Sequence, residues 1–333
     1  MTTPEAPQGG FTVVSTMKNE GAFLIEWVAH HKALGFDRIL ICTNDCADPT
    51  ARMVQRLEVL GIARHHATIK RQVTSIQRAA LRQVLRYPEV TRADWFYVCD
   101  ADEFLTIKLG DGTVQALVAA AGQGADAISI PWRIFGPNGQ DSYAEGPITA
   151  QFTHAQRTPR PREKAVAFPK TLCRGVDKVR RIGIHAPIPR DGLEEPLRVE
   201  LPGGIPKAQG AHKVFVPADY RFAQINHYAL RSRDSFLVKR DRGRVNHTSQ
   251  TMDTGYWTKF DIAQERCDAI RRYDPVAAEW RLRLMADAEL ADLHRQAVAW
   301  HRARIAALRD DAGFAPLLDF IAERRRACEP AQS

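Results

Sequence analysis

The chain has 333 residues, of which 44 % are hydrophobic and 26 % charged, a composition that excludes wholesale disorder, collagen-like repeats and coiled-coil fibres. Its length fits two domains of roughly 150 residues each, or one large α/β domain with a helical appendage. Forty-seven Lys and Arg against 39 Asp and Glu give a net charge of +8, which favours an anionic partner: a nucleotide, nucleic acid, phosphorylated sugar or acidic lipid surface.

Residues 1–10 are rich in Pro and Gly and read as a flexible N-terminus without a basic segment leading into an apolar one. No apolar run reaches the roughly 18 residues of a membrane span, so a cytoplasmic protein is expected. Phe11 to Thr16 is a β-branched, strand-like run. Phe23, Leu24, Trp27, Val28, His31 and Leu34 then recur at helical spacing up to Gly35. Arg38 to Thr43 reads as a second strand, and Asp48-Pro49 opens a helix carrying Met53, Val54, Leu57 and Leu60. A weak strand near Ile62 to Ala67, a helix from about Ser75 to Arg86 and the strand Trp95 to Cys99 complete a β-α-β-α-β-α-β series.

Units of this kind imply parallel strands joined by right-handed crossovers, hence a doubly wound α/β sheet with helices on both faces. Ligands in such sheets sit beyond the carboxyl ends of the strands. Lys18-Asn19-Glu20, Thr43-Asn44-Asp45 and Asp100-Ala101-Asp102-Glu103 all follow strand ends and should meet at one edge. From Asn138 to about Gly210 the periodicity fades, and Arg157 to Arg190 holds ten Lys and Arg against two acids. A strand at Phe222 to Ile225 then leads to Asn226-His227-Tyr228 and a basic helix from Asp234 to Arg244; helical spacing resumes from Asp261 to the end. The six cysteines, at 42, 46, 99, 173, 267 and 328, form no CxxC pair and read as reduced thiols.

The most informative stretch is Trp95 to Phe104, a buried-type strand ending in Asp100, Asp102 and Glu103. In extended backbone Asp100 and Asp102 point to one side and can share a divalent cation, and adjacent carboxylates need such compensation. An isolated DxD is common; its place after the fourth strand makes it informative.

Together with Met17-Lys18-Asn19-Glu20, Glu26-Trp27, His30-His31 with Gly35, Asp94-Trp95, Trp132-Arg133 with Phe135-Gly136, Asn226-His227-Tyr228 and Lys239 with Arg242-Gly243, this stretch resembles the glycosyltransferases of the GT-A nucleotide-diphosphosugar transferase fold, in the family-2-like branch akin to glycosyltransferase family 92. The resemblance covers residues 11–260 and implies a catalytic domain there, with a nucleotide-binding half at 11–105 and an acceptor and phosphate-binding half at 106–260; residues 261–333 form a helical C-terminal extension. It implies transfer of a sugar, with inversion as the expected outcome, from a nucleotide-diphosphate sugar such as a UDP-sugar to a glycan or lipid-linked acceptor.

On that resemblance the metal, Mn²⁺ or Mg²⁺, would be held by Asp100, Asp102 and His227, with His185 as competitor for the histidine. Glu20, Asp45, Gln77 and Asp100 are the donor-nucleotide candidates, Lys239 and Arg242 the phosphate grip, and Trp132 and Phe135 the acceptor side. Asp141 is the candidate catalytic base, with Glu145 and Asp191 as alternatives. Each residue has a plainer role open to it: helix capping, an Asx turn, core filling or a solvated basic face. A nucleotidyltransferase of the same fold lacks its Gly-rich phosphate loop here, and a nucleic-acid-binding protein lacks a recognition motif. The C-terminal segment around Arg295, Arg302, Arg304 and Arg309 alternates basic residues with Val298, Trp300, Ile305 and Leu308, a composition compatible with peripheral contact with an anionic membrane at its inner face, although the plainer reading, which is favoured, is that this helix packs on the catalytic domain with its arginines facing water.

Overall fold

The computed structural model describes residues 9–69, 75–122, 124–207, 215–243 and 252–328. Arg244, the expected end of the basic helix, and Gly210, the expected end of the aperiodic stretch, lie outside the described residues. Strands β1 (Phe11–Met17), β2 (Arg38–Thr43), β3 (Arg64–Ala67) and β4 (Trp95–Val98) pair in parallel in the order β3-β2-β1-β4. Helix α1 (Gly21–Ala33) joins β1 to β2, α2 (Thr50–Val59) joins β2 to β3, and α3 (Ile76–Gln83) with the short α4 (Pro88–Thr91) leads back to β4.

Alternation along the strands explains the layers. Val13, Ile39, Ile41 and Tyr97 pack with Trp27 and Val28 of α1 and Met53 and Leu57 of α2, whereas Val14, Leu40, Cys42, Phe96 and Val98 pack with Ala80, Leu81 and Val90 on the other face. Both faces are therefore covered, as a parallel sheet requires. Strand addition reverses direction between β1 and β4, so the crevice beyond their carboxyl ends is the switch point of the fold.

The remaining strands extend and cross this half. They are β5 (Glu103–Ile107), β6 (Ala127–Ile134), β7 (Pro169–Arg174), β8 (Val199–Leu201), β9 (Ile205–Pro206) and β10 (Ala223–His227), and they complete a ten-stranded sheet. Between them lie α5 (Val114–Ala119) and α6 (Ile148–Gln151). The expected α/β class, with helices on both faces, is what the structure shows. The second half of the sheet is more mixed than the β-α repeat suggested, because β7 runs antiparallel between β4 and β6. That strand lies inside the stretch that reads as irregular: Pro169 and Lys170 are poor strand formers, and burial on both faces erases the alternation that marks a strand.

After β10 come α7 (Arg233–Asp241), α8 (Thr254–Phe260), α9 (Asp274–Met285), α10 (Ala288–Arg309) and α11 (Ala315–Cys328). The C-terminal helices do not stand apart. Leu284, Leu290, Leu293 and Ala297 join the core containing α1, and Ile305, Leu308, Leu317 and Ile321 pack with Phe236, Leu237, Trp257 and Phe260. Arg302, Arg304 and Arg309 pair with Glu145, Asp241 and Asp234, and Arg295 with Asp292. The apolar stripe of α10 is thus covered by the protein itself. Among the described residues no helix is long and apolar enough to cross a membrane.

Asp234 is the anchor of this packing: nearly fully buried, it accepts two hydrogen bonds from Arg309 and one from the Tyr143 amide at 3.0 Å. Asp234→Ala should lower unfolding free energy by about 2–3 kcal/mol, whereas Arg304→Ala, at a more exposed pair, should cost under about 1 kcal/mol. Equal losses in urea melts of the two variants would contradict this ranking.

Candidate functional site

The three strand-end clusters meet at the switch point, and local hydrogen bonds explain how. Asn19, in left-handed backbone at φ 53°, accepts from the Ala47 amide at 2.7 Å and so ties the loop after β1 to the loop after β2. Asp48 accepts from the Gly21 and Thr50 amides, each at 2.9 Å, and caps α1 and α2 together. Asn19 and Asp48 are therefore scaffold residues. Glu26 plays a similar part, since its buried carboxylate receives the Ile148 and Thr149 amides at the start of α6.

The carboxylates of the β4–β5 turn each have a separate environment. Asp100 accepts from Gln77 Nε2 at 2.6 Å and from Lys170 Nζ at 2.9 Å. Lys170 is fully buried and also lies 3.4 Å from Glu103 Oε2. It arrives there because β7 is antiparallel to β4, which places the beginning of one strand beside the end of the other. Asp102 accepts from Lys239 Nζ at 2.5 Å and has His227 Nε2 at 3.7 Å. His227 ends β10, paired in register with Glu103, so the sheet itself brings the histidine to the DxD turn.

Burial opposes ionisation of all three acids, and their partners decide the outcome. Lys170 outweighs burial at Asp100 and holds its carboxyl below the usual range. At Asp102, Lys239 and His227 do so by a wide margin. Glu103 goes the other way: burial and the neighbouring Asp100 charge raise it well above an ordinary glutamate. Burial pushes His227 down, favouring neutral imidazole. Glu103 Oε1 and His227 Nδ1 are buried without a hydrogen-bond partner. Asp102, Glu103 and His227 offer ligand atoms that all lie within 4.8 Å of one another, an arrangement that could hold a metal ion. Asp100 stands beside this trio with both oxygens engaged.

The other sequence candidates distribute around this centre. Glu20 is buried between Arg231, at 2.9 Å, and Arg242, and these cations outweigh burial to hold its carboxyl low. Arg242 also donates to the Lys18 carbonyl. Lys239 and Arg242 therefore do not form an open basic face: each is turned onto a carboxylate. Asp45 is exposed at the end of β2, in left-handed backbone, with Asn44 Nδ2 3.5 Å from its carboxylate. The Trp132 ring lies 4.2 Å from that of His227, centroid to centroid, and 5.3 Å from that of His185. Burial, reinforced by Lys170, drives His185 down to about 4. Phe135 is buried against Tyr228, and Gly136 is required beside it, since a Cβ there would meet the Ile262 carbonyl oxygen at 2.3 Å. Asp141 pairs with Arg233 at 3.3 Å and with Arg325 of α11. Glu145 and Asp191 pair with Arg302 and Arg180.

Two site residues escape sequence reading. Lys170 sits in a basic, aperiodic stretch where nothing local singles it out. Arg231, which binds Glu20 and the Ala101 carbonyl and lies 3.7 Å over the Phe23 ring, adopts φ 58° just before α7; an arginine there carries no turn signal.

No family model matches the chain. Among curated proteins it is similar to the glycosyltransferase family 92 protein of Ricinus communis, in two matches. One is 25 % identical over 165 residues, covering 48 % of this chain and 29 % of the relative; the other is 27 % identical over 166 residues, covering 46 % and 28 %. The matched region spans under a third of the relative's length, and the relative's family is the one that the motifs resemble. Among solved structures the chain is similar in part to S. aureus TarS 1-349 in complex with UDP, at 14 % identity and a TM-score of 0.32, over 50 % of this chain and 47 % of that one. It is likewise similar to TarS 1-349 with UDP-GlcNAc, at 14 % identity and a TM-score of 0.29 over 40 % and 37 % of the two chains. WbbM, a bifunctional glycosyltransferase, aligns at 12 % identity and a TM-score of 0.25 over 39 % and 24 %.

The raised pKa of Glu103 has a sign that can be measured. Its folded form holds a proton that the unfolded chain releases above about pH 4.3, so its contribution to stability is full below that pH and is lost as pH rises. Glu103→Gln removes the titration. The melting temperature of the variant relative to wild type should therefore increase steadily from about pH 4 to 7; a flat or falling difference would show that Glu103 is ionised in the fold.

Proposed function

We propose that the protein is a glycosyltransferase that takes its sugar from a nucleoside-diphosphate donor, with a UDP-sugar as the first choice. The observation that carries this reading is the DxD turn: two ionised carboxylates at the switch point, Asp102 buried and Asp100 half-buried, each matched by a lysine from another element, in a chain similar to glycosyltransferase family 92.

In this reading Asp45, exposed at the end of β2, accepts from a ribose hydroxyl, while Gln77 and Lys170 fix Asp100. Arg231 and Arg242, oriented by Glu20, face the donor's phosphates together with Lys239. Trp132, packed against His227, offers its ring to the acceptor, and Phe135 supports that side from the core. The donor set fits a divalent cation, Mn²⁺ or Mg²⁺: neutral imidazole and carboxylates converge, and two of the buried donor atoms have no other partner. Asp102, Glu103 and His227 would hold it, next to Asp100, and when bound it supplies Lewis-acid neutralisation of the leaving diphosphate. The acceptor hydroxyl attacks the anomeric carbon as the bond to the diphosphate breaks, and inversion calls for a carboxylate to take the hydroxyl proton. Asp141 is the candidate, acting from within its pairing with Arg233 and Arg325. The acceptor is a glycan or lipid-linked glycan, reached from the cytoplasm at the inner face of a membrane.

Thermal-shift measurements with a panel of nucleotide sugars, with and without Mn²⁺, test the donor, because a ligand that binds only the folded state raises the melting temperature. Wild type should hydrolyse the stabilising donor slowly, and Asp102→Asn should lose about a hundredfold or more of that turnover. Full turnover of the variant, or of wild type in excess EDTA, would refute the metal-assisted reading. Salt-sensitive binding to random DNA, with no nucleotide sugar bound, would support the nucleic-acid alternative instead.

A further inference from the structure

Two lysines neutralise the two aspartates, and they are placed very differently. Lys170 projects from a central strand, is fully buried, and lies against two carboxylates, Asp100 at 2.9 Å and Glu103 at 3.4 Å. Its release would leave the Asp100 charge without its cation. Lys239 sits on the last turn of α7 and keeps 16 % of its side chain exposed. Its three N–H groups are spent on Asp102 Oδ2 at 2.5 Å, the Ala229 carbonyl at 2.7 Å and the Tyr256 hydroxyl at 3.4 Å. Only the first of these partners is charged, so the ammonium retains two anchors if it leaves Asp102.

Asp102 also belongs to the trio, with Glu103 and His227, whose ligand atoms converge within 4.8 Å. A divalent cation drawn to that trio meets an ammonium already seated on one of its carboxylate oxygens, with Arg231 adding positive potential nearby. Two cations cannot share that oxygen without strong repulsion.

We propose that Lys239 is an exchangeable counter-ion: its ammonium and a divalent cation compete for Asp102 Oδ2, and the displaced ammonium, still tethered to Ala229, is the group that captures the donor's diphosphate. No covalent bond changes in this step. The competition stands on the geometry alone, whereas the capture rests on the glycosyltransferase reading.

The competition predicts an unusual sign. A residue that helps to hold a metal weakens binding when removed, but removing Lys239 should tighten it. Mn²⁺ is titrated calorimetrically into the full chain without nucleotide, for wild type, Lys239→Met and Lys239→Gln; the glutamine variant keeps a hydrogen-bond donor in case the methionine variant does not fold. In a natively folded variant the Mn²⁺ dissociation constant should fall by about tenfold or more. UDP affinity at saturating Mn²⁺ should fall in the same variant, much more than uridine affinity. Lys170→Met serves as the contrast: it should lower the melting temperature and tighten Mn²⁺ clearly less than the Lys239 variants do, because Lys170 faces Asp100 and Glu103 and leaves Asp102 Oδ2 untouched. Unchanged or weaker Mn²⁺ binding in the Lys239 variants, absence of Mn²⁺ binding in all proteins, or equal tightening in Lys170→Met would each overturn the exchange. If Mn²⁺ tightens while UDP binds no form of the protein, the competition is supported and the transferase reading fails by itself.

Discussion

Compensation of buried carboxylate charge is the constraint on which the rest of this structure turns. Glu20, Asp100 and Asp102 carry charge within one crevice largely withdrawn from water, beside Glu103, whose buried carboxyl keeps its proton. Burying such charges costs several kcal/mol each unless cations meet them at short range. Lys170, Lys239, Arg231 and Arg242 do so, and they come from three separate elements: β7, the turn before α7, and the end of α7. Pairs of this kind add little net stability, but losing one partner costs about 3–5 kcal/mol, so they fix position more than they strengthen the fold. The antiparallel insertion of β7 into an otherwise parallel edge makes sense in these terms. A parallel strand at the same place would present its carboxyl end there, and its first residues, including the lysine, would lie at the opposite edge of the sheet.

The same constraint accounts for the C-terminal helices. Helix α7 carries Lys239 on its last turn and Arg242 at its C-terminal cap, and an error of about 1 Å in its placement would break a 2.5 Å contact. Packing from α10 and α11 removes that freedom. Asp234 at the first turn of α7 is held by Arg309, Asp241 at its last turn by Arg304, and the apolar residues between them close on Ile305, Leu308, Leu317 and Ile321. A segment that the sequence presents as an appendix is therefore part of the support of the site.

What could be read from the sequence divides along the same line. The β-α repeat from Phe11 to Cys99, its strand ends and the DxD turn were legible because each is a local signal: period two against period 3.6, a cap, a Gly stop. The convergence of Glu20, Asp45 and Asp100 on one edge follows from parallel topology and could also be inferred. The pairings could not. Whether Glu20 meets a ribose or Arg231 depends on a left-handed arginine 211 residues away, and Lys170 is hidden in an aperiodic stretch whose strand is buried on both faces. Asp100 and Asp102 look equivalent as a motif, yet one is tied to Gln77 and Lys170 while the other faces His227 and Lys239. Long-range electrostatics leave no mark in local spacing.

Net charge shows how far composition can mislead in this respect. The ten basic residues between Arg157 and Arg190 suggest an open cationic surface for a polyanion, but several already have internal partners. Lys170 serves Asp100, Arg157 pairs with Glu163, Lys178 with Asp126, Arg180 with Asp191, and Arg174 lies over the Trp95 ring. Arg302, Arg309 and Arg304 of α10 and Arg324 and Arg325 of α11 are likewise committed to Glu145, Asp234, Asp241, Asp261 and Asp141. Exposed pairs among these are weak and exchange readily with solvent ions. The cations that matter to a small anionic ligand are the few held in low-dielectric surroundings beside the DxD turn, where each charge acts with greater force. An excess of +8 spread over 333 residues says little about them; their burial and the identity of the carboxylates that face them say considerably more.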